Sequence, residues 1–265
     1  MMKNSIALVS ALIAMTAALA ASAGSYVEWE NVGEGTYVAG RRCSEGYLQG
    51  KVVLVCRDAK MAGRMEEIWT SFKTKPFVLL GAFEATPEKV TYPVYSGASL
   101  ANNAPEAPLY VVEETGRIRY KGKDERTATE ALVSALTDME SPKNVAQWRM
   151  FLDYELVALP GRAYLRFQEF KKKLPKDAKE YEVKFAELSK TENVKKLAEL
   201  VKFAKEAKDI RAFDPKKAKY QQSRFKKMVE GAIAKYSPLK ESEDSRVRQE
   251  AKNALADLKW TLATL

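Results

Sequence analysis

Hydrophobic positions in the first half of the chain switch between two periods. A continuous apolar run, Val52 to Cys56, stands between Gly50-Lys51 and Arg57-Asp58. A run of that length bounded by turn residues fits a central strand buried on both faces. From Met61 the spacing becomes helical, and Met61, Met65, Ile68, Trp69 and Phe72 make one apolar stripe. Asp58 lies just ahead, where a carboxylate suits the positive end of a helix. Pro76 closes the segment, and FVLLGAF, residues 77–83, supplies a second buried strand. Upstream, SYVEWENVGEGTYVAGR alternates apolar residues with glycines and predicts a short strand with turns. Downstream, residues 84–107 carry prolines at 87, 93 and 105 and read as a loose segment. PLYVVEETGRIRYKG, residues 108–122, then predicts a β-hairpin about an E-T-G turn. ERTATEALVSALTDM puts Ala128, Leu132, Ala135, Leu136 and Met139 on one helical face. Strand, helix, strand, hairpin, helix predicts a mixed sheet covered by helices, an α/β domain.

After Ser141 the helical period persists to the end, broken at Pro142, Pro160-Gly161, Pro175, Asp214-Pro215 and Pro238. Between the breaks lie apolar stripes: Trp148, Phe151, Leu152 and Leu156; then Tyr164, Phe167 and Phe170; then Tyr181, Phe185 and Leu188. Further stripes are Leu197, Leu200, Val201 and Ala204; Phe225, Met228, Val229 and Ile233; and Val247, Ala251, Ala254, Leu255 and Leu258. About six amphipathic helices, each with one face to bury, predict an all-α domain. No fixed repeat period appears.

Charge divides the chain at the same place. Residues 1–140 carry 15 Lys+Arg against 17 Asp+Glu, and residues 141–265 carry 29 against 18. The basic half is laced with acids at helical spacing, as in Glu199/Lys202 and Lys205/Asp209, which reads as a solvated face rather than a nucleic-acid footprint. KKKLPK (171–176) and PKKAKYQQSRFKK (215–227) are the concentrated basic pieces, suited to a protein or an acidic envelope polymer as partner.

The first 23 residues have Lys3 near the start, an apolar run from Ile6 and the small-residue end Ala21-Ser22-Ala23, and read as a secretory signal peptide. The expected organisation is therefore signal peptide 1–23, α/β domain 24–140 and basic helical domain 141–265. The mature protein is expected in the periplasm or outside the cell, without a membrane span.

Composition removes most chemistry. There is no histidine, which excludes Ser-His and Cys-His nucleophile pairs and HExxH zinc sites. Cys43 and Cys56 are the only cysteines, too few for a cysteine-based zinc site or an iron–sulfur cluster. No cofactor and no metal site is implied. In an oxidising compartment two cysteines suggest a Cys43–Cys56 disulfide; the alternative is a pair of buried or unpaired thiols. GEG at 33–35 lacks the strand–helix context of a phosphate loop. Glu66-Glu67, Glu113-Glu114 and Glu241/Glu243/Asp244 read as solvated helix faces or turns.

Three phrases in order, YLQGKVVLV, TYPVYSG and EAPLYVVEETGRIRYKG, resemble the thioredoxin-like superfamily, especially its exported thiol–disulfide oxidoreductases and alkyl hydroperoxide reductases. The resemblance covers about residues 37–138 and implies a thioredoxin-like domain with a C-x-x-C at the start of its first helix, where the helix N-terminus stabilises a thiolate. Counted without gaps from Gly50-Lys51, those two positions hold Ala62 and Met65, with Gly63 and Arg64 between them. Pro108 stands where the family has a cis proline beside the active site. The implied protein keeps a binding cleft near Ala62, Gly63, Arg64 and Pro108 but has lost the catalytic thiols. It is expected to bind or scaffold. The alternative is a redoxin using Cys43 and Cys56 in an unusual arrangement.

Overall fold

The structure, a computed structural model, describes residues 27, 29, 36–40, 42–43, 45–85, 89–96, 105–210 and 218–263, without the side chains of 208–210 and 218–221. The signal-peptide segment, the GEG phrase and Asp214-Pro215 lie outside the described residues.

The continuous apolar run becomes β2 (Val52–Cys56), every residue of it buried. It sits inside a six-stranded sheet with β1 (Thr36–Ala39), β3 (Phe77–Ala82), β4 (Val94–Ser96), β5 (Leu109–Val112) and β6 (Ile118–Gly122), in the order β1-β4-β3-β2-β5-β6. β2 runs parallel to β3 and antiparallel to β5, so the sheet is mixed. Parallel neighbours need a crossover, and α2 (Ala62–Phe72) provides it. The segment expected to be loose contributes β4, parallel to β3 and antiparallel to β1. Three residues give no readable period; backbone pairing with β3 and β1 makes the strand.

Side chains alternate across β2 and β3, and each face has its own core. Val52, Leu54, Cys56, Phe77 and Leu79 pack under α2 and α3 (Glu125–Glu140) through Met65, Ile68, Trp69, Leu132 and Leu136. Val53, Val55, Val78 and Leu80 on the reverse face meet Val27 and, from the short helix α1 (Glu45–Leu48), Tyr47 and Leu48. Asp58 caps a 3-10 turn, Ala59–Met61, rather than α2 itself, accepting the Lys60 N–H at 2.9 Å. Asp124 caps α3 and Asn144 caps α4 (Val145–Ala158) by accepting N–H groups of the first turn.

The helical stripes form α4, α5 (Pro160–Lys173), the single turn α6 (Pro175–Ala178), α7 (Glu182–Lys190), α8 (Glu192–Ile210), α9 (Ala218–Tyr236) and α10 (Ser245–Ala263). One helical core gathers Leu197, Leu200, Val229, Val247, Ala251 and Leu258. Another stacks Phe167 on Phe185 at 4.0 Å between ring centroids and Trp148 on Phe170 at 5.4 Å. Glu199 pairs across to Lys235 and Tyr236 on α9, rather than with Lys202 along its own helix.

These helices sit against the end of the sheet where β2 begins. On α10, Trp260 reaches Trp69 with centroids 6.4 Å apart, Asp257 accepts from the Tyr47 hydroxyl at 2.7 Å, and Asn253 donates to the Gly46 carbonyl. Gly50 makes the approach close. Its φ is +70°, its carbonyl accepts from Arg162, and a Cβ there would fall 2.3 Å from Arg162 Nη1 and 2.6 Å from Leu159 Cδ1. Left-handed backbone and collision act together. Gly50→Ala is expected to destabilise the protein by about 1–3 kcal/mol, measured as a lowered urea midpoint; a midpoint equal to wild type would contradict this packing.

Candidate functional site

The positions picked out in the sequence converge at the opposite end, where β2 finishes. Ala62 opens α2 and Met65 follows one turn later, both with 0% of their surface exposed. They belong to the stripe that seats α2 on the sheet. Gly63 is half-buried, and the Arg64 side chain is 59% exposed. Arg64 is held by Glu67 and, at 2.7 Å, by Glu125 at the start of α3. Pro108 is exposed beside them, and its carbonyl accepts the Arg57 N–H at 2.8 Å. Arg64 thus joins the starts of α2 and α3, Pro108 meets Arg57 just past β2, and Ala62, expected in the same cleft, is closed to solvent. The expected cis proline is not found: no peptide bond among the described residues is cis, so Ala107–Pro108 is trans.

The expected Cys43–Cys56 disulfide is not formed. Cys56 points into the face covered by α2 and α3, whereas Cys43 packs against the reverse face, its backbone N–H donating to the Tyr95 hydroxyl at 2.7 Å. A sheet separates them: alternation along β2 turns Cys56 to the α2/α3 face with Val52 and Leu54, and Cys43 lies in the connection on the reverse face. The Cys56 thiol donates to the Asp58 carbonyl at 3.3 Å, and burial pushes its pKa up to about 11 against the lowering influence of that contact. A thiol so placed is held in its protonated, weakly nucleophilic form at neutral pH.

A second cluster was not anticipated. Glu114, read in the sequence as a solvated turn, is buried, as are Glu155 and Glu250. Arg162 donates to Glu114 at 2.7 Å and lies 3.4 Å from Glu155. Arg166 grips Glu155 through two bonds, at 2.7 and 2.8 Å, and donates to the Met139 carbonyl at 3.0 Å. Glu250, from α10, accepts the backbone N–H groups of Gly161 at 2.8 Å and Arg162 at 3.0 Å. It thereby caps α5, whose first residue is Pro160 and whose N-terminal N–H groups have no intrahelical partner. The cluster borders a cavity of about 490 Å³ between the helices and the sheet end. A visible signal existed: Glu155 shares a face with Phe151 and Leu152, and Glu250 falls in the stripe of Val247, Ala251 and Ala254. A smaller cavity of about 310 Å³ lies between the hairpin, α3 and α4, where Arg119 bridges Glu113 and Asp138 at 2.7 Å each. Among the described residues no group of three or more Cys, Asp or Glu is placed to hold a metal ion, and no helix is long and apolar enough to cross a membrane.

Fold and site define an α/β unit with a mixed six-stranded sheet flanked by helices, followed by a helical region. No protein-family model matches the chain, and no curated protein does. A crystal structure of Trgpx in apo form aligns over 39% of this chain and 94% of its own, with 17% identity and a TM-score of 0.29. At that score the architecture rests on the strand order and helix placement seen here.

Burial of Cys56 carries a direct expectation. In the folded protein at pH 8, iodoacetamide leaves Cys56 unmodified over a time in which it labels fully in denaturant, read by peptide mass spectrometry. Native labelling at the denatured rate would contradict the assigned environment.

Proposed function

We propose that the chain is a thioredoxin-like protein without dithiol chemistry, exported to the periplasm or beyond, that binds or scaffolds in the cell envelope rather than catalysing thiol exchange. The observation that carries the reading is the start of α2. Ala62 and Met65 occupy the positions where the resembling family keeps its two cysteines, and both are core residues. The central strand, the crossover helix and the hairpin beside them remain, so the frame for a thiolate persists without a thiol. The redoxin alternative loses support because Cys43 and Cys56 face opposite sides of the sheet. The exposed Arg64 and Pro108, with the half-buried Gly63, make the binding face of this reading. The excess basic charge of the helical region suits an acidic partner, though Lys171 and Lys173 already pair with Glu182 and Glu169.

Wild type, Cys43→Ala and Cys56→Ala are expected to show the same background turnover in a disulfide-reduction assay with dithiothreitol as reductant. Installing both thiols, Ala62→Cys with Met65→Cys, is expected to leave turnover at that background, because both positions are buried in the core beneath α2. Wild-type turnover abolished by Cys56→Ala would overturn the non-catalytic reading.

A further inference from the structure

The five buried groups at the seam do not balance. Glu114, Glu155 and Glu250 face Arg162 and Arg166, three carboxylates against two guanidiniums, and the side chains of Glu114 and Glu155 are 0% exposed. A net charge held away from water is costly, and an ionisable group so placed changes its protonation state instead. We propose that the cluster holds one proton among its carboxylates in mild acid and releases it as pH rises through neutrality, making the seam between the helices and the sheet a proton-dependent latch.

Each carboxylate's surroundings bear on this. Glu155 is the best compensated, with the fork of Arg166 and Arg162 beside it. Glu114 receives one bond from Arg162, and its Oε1 has no hydrogen-bond partner, Arg166 standing 3.6 Å away. Burial pushes the Glu114 carboxyl above its usual range despite the two arginines. Burial likewise pushes Glu250 up to about 7, against the lowering effect of the Gly161 and Arg162 amides and the Arg162 charge, with Glu155 adding to the rise. The proton belongs to the coupled cluster rather than to one residue. Tyr154 faces the same group and stays a neutral phenol, its pKa raised to about 12 by burial and by Glu114.

Charges on the surrounding elements are already matched. Around the cavity, Glu140 of α3 pairs with Lys75, Glu169 of α5 with Lys173, and Glu206 with Lys202 of α8. On α10, Asp257 lies 4.0 Å from Lys51 and accepts from Tyr47, and Asn253 is neutral. Lys205 of α8 is exposed to solvent. The imbalance therefore stays with the five central groups.

The sign follows from linkage. A carboxylate raised on folding binds its proton more tightly in the native state, so its contribution is complete below the unfolded value near 4.5 and disappears as pH rises through about 7. With no histidine in the chain, no side chain of ordinary pKa competes in that window. Deprotonation leaves one buried negative charge in excess, and water entering by the cavity of about 490 Å³ is the route to its relief. The elements that loosen are those the cluster ties together: the start of α5, α10 and the hairpin turn.

The test is urea unfolding of the full chain from pH 5 to pH 8, with amide hydrogen exchange corrected for its intrinsic pH dependence. The folding equilibrium constant is expected to fall roughly 10- to 100-fold across the range, with the Gly161 and Arg162 amides losing protection ahead of β2. Glu114→Gln and Glu250→Gln each remove the excess charge, and each is expected to flatten the slope. A wild-type midpoint that is constant or rises from pH 5 to 8 overturns the proposal. So does a slope equal to wild type in whichever of the two variants folds.

Discussion

Arg162 is the side chain through which the two halves of this protein meet. Its backbone N–H helps dock Glu250 at the start of α5, while its guanidinium reaches the Gly50 carbonyl, Glu114 in the hairpin turn and Glu155 on α4. Four separate stretches of chain converge on one residue. Removing one partner from such a group leaves an uncompensated buried charge, which costs about 3–5 kcal/mol where it has been measured. The seam is for that reason a place of fixed geometry. The left-handed Gly50 is part of it, since only a residue without a Cβ allows Arg162 and Leu159 so near.

The two ends of the sheet consequently have different characters. The end where β2 begins is covered by helices and holds a buried cluster of carboxylates and arginines. The end where β2 finishes is bordered, among the described residues, by Arg57, Gly63, Arg64 and Pro108, and the Cys56 thiol there is buried. The apolar stripe of α2 explains the second character as much as the first. Ala62 and Met65 serve the packing of α2 on β2 and β3, along with Ile68 and Trp69, and a position used for packing is closed to solvent chemistry.

Much of the architecture was legible from pattern. β2, α2, β3, the hairpin and α3 follow from runs and stripes because burial of one or both faces is written in local spacing. The stripes from Trp148 to Leu258 likewise mark the helices that form. Less legible was anything set by a neighbour distant in sequence. β4 has three residues and exists by pairing with β3 and β1. The trans Ala107–Pro108 bond departs from the resembling family, and the two cysteines proved to lie across a sheet from one another. Glu155 and Glu250 sat in apolar stripes, a sign that they were buried, but their partners were not readable.

By itself the sequence determined most of the strands and helices, β4 excepted, that no histidine chemistry is available, and that no thiol stands at the start of α2. These are properties of composition and short-range period. Tertiary structure alone decided that Glu114 leaves its turn for the interior, that Cys43 and Cys56 stay apart, and that three carboxylates share two arginines. Each of those depends on contacts between residues tens of positions apart. Their energy comes from the loss of water around a charge, and only the folded arrangement determines which charges lose it.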